Sequence, residues 1–196
     1  MLDAAEAHLG ADGTLTLDSA ARAAGVTKPG LMYHFATKER LLSAILERMS
    51  RRYEAGMVAC VQQAPAGPAP DAAQSDCRAG FEDAEQAHLD FSAAPVSTRH
   101  LAYLRWACQA PLSPADLVIF ADPHLRVTLT GKWQEQLDRW LAVPAHASGT
   151  QQDRLLAVRL MADGVWFDRA SGLLDIEPGR VTALRLLAEE MLGGEA

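Results

Sequence analysis

The sequence has few of the residues that build β-sheets. Runs of valine, isoleucine, threonine and aromatic residues are nearly absent, and aromatic residues make up only 6% of the chain. Alanine, leucine, arginine, glutamate and glutamine dominate instead, and these residues favour helices. Because nearly half of the residues are hydrophobic, the chain can also bury a core. The composition therefore predicts an all-α protein with one large domain or two small ones.

Long apolar runs and paired cysteines are missing as well. No apolar run approaches the ~18 residues that indicate a membrane-spanning helix. The three cysteines, Cys60, Cys77 and Cys108, are far apart and form no Cys-x-x-Cys pair, so we expect a reduced chain rather than a disulfide framework. For Cys60 and Cys108 we expect buried thiols, with redox sensing as the alternative. Met1 leads directly into an amphipathic acidic segment, so we expect no signal peptide and a cytoplasmic protein.

The sequence lacks the usual patterns for catalysis and metal binding. The six histidines show no H-x-x-x-H or H-E-x-x-H spacing, and no glycine-rich loop is placed to cradle phosphate. Ser113, Ser148 and Ser171 lack the surroundings of a nucleophile elbow. We therefore predict no metal, no cofactor and no enzymatic activity.

The charge of the chain is uneven. Its net charge of −7, taken alone, disfavours a nucleic-acid partner. However, residues 1–27 carry one basic and four acidic side chains, a local charge of −3, whereas residues 28–52 carry six basic and two acidic ones, a local charge of +4. An anionic partner is therefore expected to meet residues 28–52.

Residues 16–42 overlap this basic segment and predict a helix-turn-helix. Thr16 is suited to cap a short helix that ends at Gly25, because glycine takes the positive φ of a tight turn without steric cost. Thr27 is suited to cap the second helix, whose first turn tolerates a proline at position 29. Thr37 is the expected cap of the next, longer helix.

The spacing Ala21–Gly25–Leu31 is typical of this motif. Ala21 is small enough for the two helices to approach closely, and Leu31 is the apolar plug from the second helix. Phe35 lies one turn after Leu31, so both face inward and the second helix is free to enter a major groove. We predict contacts to phosphates or base edges from side chains that face away from this stripe or flank it, namely Lys28, Met32, Tyr33 and His34. We predict further contacts from three residues at the starts of helices, namely Thr16, Thr27 and Lys38, because the N-terminus of a helix attracts phosphate.

Four of these DNA contacts have an alternative. Tyr33 and Lys38 are interpreted as phosphate contacts, against a tyrosine at the edge of the core and a solvated lysine. Met32 and His34 are interpreted as contacts to base edges, although neighbouring side chains would serve this purpose as well.

These residues resemble the signature of the TetR family of bacterial transcriptional regulators. The resemblance rests on the pattern A-x-x-x-G-V-T/S at 21–27 and on the run GLMYHFATKERLL at 30–42. The run MADGVWFDRASGLLD at 161–175 is more loosely similar to the dimer-forming end of the family. The chain differs from many members at Pro29-Gly30, where they carry small or polar groups that reach bases.

The resemblance implies a symmetric dimer whose recognition helices lie ~34–36 Å apart on a palindromic operator. It also implies that a small molecule bound in the C-terminal domain changes this separation and releases DNA. The dimer would form through the last two helices, where a glycine in mid-helix costs about 1 kcal/mol and is reasonable only if another backbone comes close. The expected interface residues are Leu156, Leu160, Gly164, Phe167, Val181, Leu184, Ala188 and Met191.

The spacing of apolar residues also predicts the remaining elements. The first helix is expected over 2–9, ended by Gly10 and the turn at 11–13, and the helix after the motif is expected to run from about 38 to 63. A proline-rich loop follows at 64–75. Further helices are expected at 76–93, 97–110 and 115–121, from Asp122-Pro123 to about Leu141, and at 151–172 and 178–192.

Aromatic and apolar residues in the second half are candidates for lining an effector pocket between helices. The alternative for each of them is an ordinary place in the core. Asp163 is expected either to hydrogen-bond across the dimer or to point into the pocket, and the sequence does not choose between these. The candidates are Tyr53, Met57, Phe81, His88, Phe91, Tyr103, Trp106, Phe120, Trp133 and Trp166.

Together these features predict a ligand-responsive repressor with a DNA-binding domain at 1–46 and an effector-binding and dimerisation domain at 47–196. The competing hypothesis is a helical small-molecule-binding or enzyme-like protein that has lost DNA binding. The net negative charge supports this alternative.

Overall fold

The computed structural model describes residues 1–63, 90–173 and 176–193, and for Pro178 the backbone alone. Over these ranges the chain is helical and contains no strand, which confirms the all-α prediction. The predicted helix at 76–93 lies largely outside the described residues. The α-helices are α1 (Leu2–Asp12), α2 (Leu17–Ala23), α3 (Lys28–His34), α4 (Lys38–Gln62), α5 (Val96–Gln109), α6 (Arg126–Trp140), α7 (Gly149–Ser171) and α8 (Pro178–Gly193), with 3₁₀ helices at Phe91–Ala93 and Pro114–Phe120.

The chain divides into two compact units. Unit 1 comprises Met1–Arg51, Leu112–Gln136 and Arg169–Leu173. The unit that contains the predicted first domain, 1–46, thus also includes segments from much later in the chain. Unit 2 comprises the described parts of three segments: Arg52–Pro111, Leu137–Asp168 and Leu174–Ala196.

In unit 1 the 3₁₀ helix Pro114–Phe120 packs against α1. The predicted end of α1 at residue 9 is too early, since the helix continues to Asp12. It ends at Gly13, the last residue of the predicted turn, which has φ 68° and donates its N–H to the Leu9 carbonyl. Gly10 instead faces the 3₁₀ helix, because a β-carbon there would lie 3.4 Å from the β-carbon of Ala115. Glycine at this position permits the close approach of the two segments.

In unit 2 a buried arginine on α5 caps the C-terminus of α6. Arg99 on α5 donates hydrogen bonds from its guanidinium to the carbonyl oxygens of Trp140 at 2.7 Å and Ala142 at 2.9 Å. A cation placed at the C-terminus of a helix satisfies carbonyls that have no partner within the helix and interacts favourably with the helix dipole. Burial lowers the pKa of Arg99.

The predicted start of α6 is wrong. Asp122 was expected to cap a helix beginning at Pro123, but the helix begins at Arg126. The carboxylate of Asp122 instead accepts a hydrogen bond from the His124 N–H at 2.8 Å in a tight turn. None of the helices in the described ranges is long and apolar enough to cross a membrane.

Candidate nucleic-acid interface

Short-range hydrogen bonds fix both ends of α2, including the turn that leads to α3. Thr16 caps α2: its hydroxyl oxygen accepts from the Ser19 N–H at 3.0 Å, while the Ser19 hydroxyl oxygen accepts from the Thr16 N–H at 3.0 Å. At the other end Gly25 has φ 67°, and the N–H of Val26 donates to the Ala21 carbonyl at 3.0 Å. This pattern ends a helix with a residue in the left-handed region, which glycine adopts at least cost.

The short helix α3 follows this turn directly. Thr27 caps it by accepting from the Gly30 N–H at 3.2 Å, and Pro29 occupies the first turn. Leu31 is fully buried, so it fixes one side of α3 to the core of unit 1. The opposite side of α3 therefore faces solvent, as the helix-turn-helix spacing predicts.

The exposed side of α3 carries three of the predicted contact residues. Tyr33 is 87% exposed, Met32 is 39% exposed, and His34 is also exposed. The rings of Tyr33 and His34 meet edge to face, with centroids 5.2 Å apart. This contact leaves the Tyr33 hydroxyl available as a hydrogen-bond donor.

The capping threonines can serve a second purpose. The oxygens of Thr16 and Thr27 accept backbone N–H bonds and both residues are exposed. A hydroxyl that accepts one bond keeps its own proton for donation to a phosphate oxygen. Both residues therefore suit the predicted role without any change of conformation.

Lys28 is held by an ion pair within the motif. Its ammonium lies 2.9 Å from a carboxylate oxygen of Asp18 on α2, and both side chains are about half exposed (48% and 59%). An exposed pair of this kind is worth little, about 0–1 kcal/mol. Lys28 can therefore leave Asp18 for a stronger anion at small cost.

Lys38 is held more firmly, at the first turn of α4. Its ammonium lies 2.6 Å from a carboxylate oxygen of Asp122, with 30% of the Lys38 side chain and 14% of the Asp122 side chain exposed. The hydrogen bond from Lys38 and the bond from the His124 N–H hold the pKa of Asp122 below its ordinary value. Lys38 stands at the predicted phosphate position, but in the described structure its partner is a carboxylate.

The arginines around the motif also differ in their surroundings. Arg48 on α4 is paired with Asp3 of α1, and the hydrogen bond from Arg48 lowers the pKa of Asp3. Arg22, Arg40 and Arg51 have exposed side chains. The local positive charge predicted from sequence is thus partly neutralised by acidic side chains of unit 1, and the exposed arginines contribute most directly to attraction of a phosphate backbone.

The predicted pocket residues of unit 2 pack mainly against one another. The ring of Trp106 lies 4.4 Å from that of Tyr53 and 5.8 Å from that of Tyr103, measured between centroids. Met57, Phe91 and Trp166 are also buried. Phe81 and His88 lie outside the described residues. The described side chains thus form a core. The rings of Tyr53, Tyr103 and Trp106 lie so close together that no ligand fits between them.

One polar group enters this aromatic core. The Tyr103 hydroxyl donates to a carboxylate oxygen of Asp163 at 2.7 Å, and Asp163 also pairs with Arg159 at 3.6 Å. Burial raises the pKa of Tyr103, and the negative charge of Asp163 adds to this effect. Asp163 thus bonds to a predicted pocket residue of its own chain, and 32% of its side chain stays exposed.

Two of the pocket candidates belong to unit 1. Phe120 lies in the 3₁₀ helix and is 48% exposed, whereas Trp133 on α6 is buried. Unit 1 also has two open grooves of about 420 and 440 Å³, lined largely by charged and small side chains. The residues that line them include no predicted pocket residue.

The two predicted interface helices expose different amounts of their apolar residues. On α7, Leu156, Leu160 and Phe167 are exposed, and a β-carbon added at Gly164 would meet nothing within 4 Å. On α8 the predicted seam is partly covered within the chain. Ala188 is fully buried and Val181, Leu184 and Met191 are half-buried, while the exposed leucines of α8 are Leu186 and Leu187.

Sequence reasoning missed the carboxylates that hold the two lysines. Asp18 precedes Lys28 by 10 residues, and no helical spacing rule connects them across a turn. Asp122 is remote from Lys38 in sequence, so only the folded chain brings them together. Because Asp122 precedes a proline, the sequence pattern indicated a helix cap, and it gave no indication that Asp122 pairs with Lys38.

Comparisons with known families agree with this geometry. The family model described as "Bacterial regulatory proteins, tetR family" matches residues 1–45. A second family model, described as "Tetracyclin repressor-like, C-terminal domain", matches residues 98–192. None of the curated proteins matches the chain. Since the two descriptions together span most of the sequence, and the first covers the helix-turn-helix, the chain belongs to the TetR family and is a transcriptional regulator with a DNA-binding N-terminal domain.

Proposed function

We propose that the protein is a homodimeric repressor that binds a palindromic operator and is released by a small-molecule effector. The observation that carries the DNA-binding part is α3 itself. Its buried face is anchored by Leu31, its N-terminus is capped by Thr27, and its outer face presents Tyr33 with 87% of the side chain exposed. A short rigid helix with an exposed polar and aromatic face suits a major groove.

Side chains around α3 divide into two kinds of contact. Thr16, Thr27, Tyr33 and Lys38 would bind phosphates and fix the position of the helix. Met32, His34 and Lys28 would meet base edges, with the Met32 side chain against a thymine methyl group.

The exposed apolar stripe on α7 supports the homodimer. Leu156, Leu160 and Phe167 are large exposed hydrophobic side chains on one line of the helix, and Gly164 lies between them with open space above it. A stripe of this kind loses contact with water when a second copy covers it. Leu186 and Leu187 on α8 would extend the same interface beside the half-buried part of the predicted seam.

The effector would bind in the C-terminal domain. Because the aromatic cluster itself leaves no room for a ligand, the site would lie beside it, near the 32% exposed side chain of Asp163 that accepts a hydrogen bond from the Tyr103 hydroxyl. The helix α4 begins at Lys38 and runs without a break to Gln62, so it connects the residues near DNA to the regulatory half of the chain. To switch operator occupancy from nearly full to nearly empty, the effector must prefer the released form roughly 10⁴-fold. A protein with this role works in the cytoplasm.

DNA binding is tested by fluorescence anisotropy with the DNA upstream of the protein's own gene. We expect sequence-preferring binding at low salt, and a loss of about tenfold or more in affinity for both Tyr33→Ala and Lys38→Ala, because each removes a phosphate contact. Val127→Ala, at an exposed apolar position on α6, is the matched control and should bind as the wild type does. Absence of sequence preference, with no effect of Tyr33→Ala or Lys38→Ala, would overturn the proposal.

The dimer is tested by sedimentation at micromolar concentration. We expect Leu160→Lys to produce monomers, whereas Leu173→Lys, which changes an equally exposed leucine beyond α7, should leave the dimer intact. Gly164→Ala gives a sharper test. It should stabilise the isolated chain by up to about 1 kcal/mol, through helix propensity, while weakening the dimer by preventing close approach. A wild-type protein that sediments only as a monomer contradicts the proposal.

The second candidate function is a helical small-molecule-binding or enzyme-like protein without DNA binding. The net charge of −7 and the pairing of Lys28 and Lys38 with carboxylates favour it. Saturable turnover of a small molecule, together with a failure to bind DNA at low salt, would support this candidate over the repressor.

A further inference from the structure

The ion pair between Lys38 and Asp122 is the least exposed of the contacts that hold the predicted DNA-binding lysines. The ammonium and carboxylate lie 2.6 Å apart, and only 14% of the Asp122 side chain is exposed. The corresponding pair between Lys28 and Asp18 is longer, at 2.9 Å, and its carboxylate is 59% exposed. Partial burial reduces screening by water, so the Lys38 pair should be the harder of the two to break.

The position of Asp122 is itself fixed. A second bond, from the His124 N–H at 2.8 Å, holds its carboxylate in the turn before α6. Hydrogen bonds from Lys38 and from this N–H favour the charged form, which lowers the pKa of the carboxyl. Asp122 is therefore a preorganised anion beside the first turn of α4.

We propose that Asp122 is a built-in competitor of DNA: its carboxylate occupies Lys38 in the free protein, and an operator phosphate must displace it. This inference rests on the proposed function, because it assigns regulation to the same DNA-binding site. Asp122 is a carboxylate mimic of the phosphate, carried by a segment of unit 1 far from the helix-turn-helix in sequence.

Electrostatics explains why the two anions exclude each other. A lysine ammonium has three donors, so sharing between two anions is geometrically allowed. However, a phosphate bound at Lys38 would lie within a few ångströms of the Asp122 carboxylate, and like charges at this distance repel strongly where water is partly excluded. The complex with DNA is therefore favoured when Lys38 leaves Asp122, and the free energy of the ion pair is subtracted from the affinity.

The same contact offers a means of regulation. Asp122 stands in the segment 112–136 of unit 1, and α6, which starts just after it, continues through residues 137–140 of unit 2. A change that holds Asp122 against Lys38 lowers operator affinity, and a change that withdraws it raises operator affinity. A shift of a few ångströms suffices, because the strength of an ion pair falls quickly once the two groups lose direct contact.

The test compares operator affinity of the full-length wild type with that of Asp122→Asn, an isosteric change that removes the charge. Glu135→Gln is the matched control, because it removes the same charge from an exposed position of α6 in the same unit. We expect Asp122→Asn to bind about threefold to tenfold more tightly than Glu135→Gln, with an unchanged salt slope, since the same phosphate contacts form in each case.

A double-mutant cycle with Lys38→Ala identifies the cause. In the Lys38→Ala background the gain from Asp122→Asn should be clearly smaller, because no ammonium remains to be released and only the repulsion between Asp122 and the phosphate is left. An equal gain with and without Lys38 would show plain repulsion of DNA by Asp122 and would overturn the inference. So would weaker binding by Asp122→Asn, since Asp122 would then position Lys38 for DNA.

The design separates this inference from the proposed function. If the wild type, Glu135→Gln and Asp122→Asn all fail to bind DNA at low salt, the repressor function and the competition fail together. If the wild type binds and Lys38→Ala weakens it, but Asp122→Asn behaves as Glu135→Gln does, only the competition fails.

Discussion

Two tyrosines of this chain stand in opposite surroundings. Tyr33 on α3 is 87% exposed, and its ring contacts the neighbouring His34. Tyr103 on α5 is fully buried, stacks near Trp106 and donates its hydroxyl to Asp163. The surface around Tyr33 is held by caps and turns a few residues apart, whereas the cluster around Tyr103 is held by contacts between helices distant in sequence. The difference suggests that unit 1 displays side chains for a partner, while unit 2 uses the same residue types for stability.

Trp106→Ala should reveal this difference with the largest effect. Removing a fully buried tryptophan from the cluster should lower the free energy of unfolding by about 3–5 kcal/mol, since transfer and cavity terms add. Urea unfolding followed by circular dichroism measures it. Tyr33→Ala is the control on the exposed side and should change stability by less than about 0.5 kcal/mol. Comparable losses for the two variants would remove the distinction.

A buried histidine near the cluster should make stability depend on pH. His100 donates to the Val96 carbonyl at 2.8 Å, and burial lowers its pKa from the ordinary 6.5 to about 4. The unfolded chain therefore takes up this proton first on acidification. The stability due to the neutral form is full above about pH 6.5, is lost as the pH falls to about 4, and amounts to about 3 kcal/mol.

Unfolding of His100→Gln between pH 7 and pH 4.5 checks this prediction. The variant should lose most of the dependence on pH that the wild type shows in that window. His146→Gln, in the exposed loop before α7, is the matched control and should follow the wild type. Parallel curves for wild type and His100→Gln would show that this buried group does not set the dependence on pH.

The smallest of these effects concerns the turn of the helix-turn-helix. Gly25→Ala should destabilise by about 1 kcal/mol, because φ is 67° there and a β-carbon strains the backbone although it meets no neighbouring atom. Gly131→Ala, on exposed α6 with equally open space, should instead stabilise slightly through helix propensity. Thermal unfolding of the two variants measures both changes in stability. If both variants were stabilised, or both destabilised, the role of Gly25 in the turn would be contradicted.

Local geometry was predictable from the sequence and distant pairing was not. The caps at Thr16, Thr27 and Thr37 follow from bonds to an N–H three residues later, so each is contained within a short window. The bond from Arg99 to Trp140 joins residues 41 positions apart, and no periodic pattern encodes it.

The apolar seam of α8 shows why periodicity alone does not assign an interface. Helical spacing identified one face of α8 as apolar, but such a face can meet another copy or the chain's own core. Ala188 is fully buried within one chain, so α5 and its neighbours already cover that face. On α7 the predicted stripe, with Leu156 and Leu160, is exposed instead. Spacing predicts an apolar face, and only the fold decides what the face meets.

The most direct test of the central claim is a footprint of the purified protein on the DNA upstream of its own gene. A dimer with two copies of α3 predicts two protected half-sites with inverted sequence, about one helical turn apart and centred on a symmetry axis. Protection should disappear for Tyr33→Ala at the same protein concentration, while the unfolding curve stays unchanged. Uniform protection without preferred sites, or a single protected half-site that persists in Tyr33→Ala, would contradict the account.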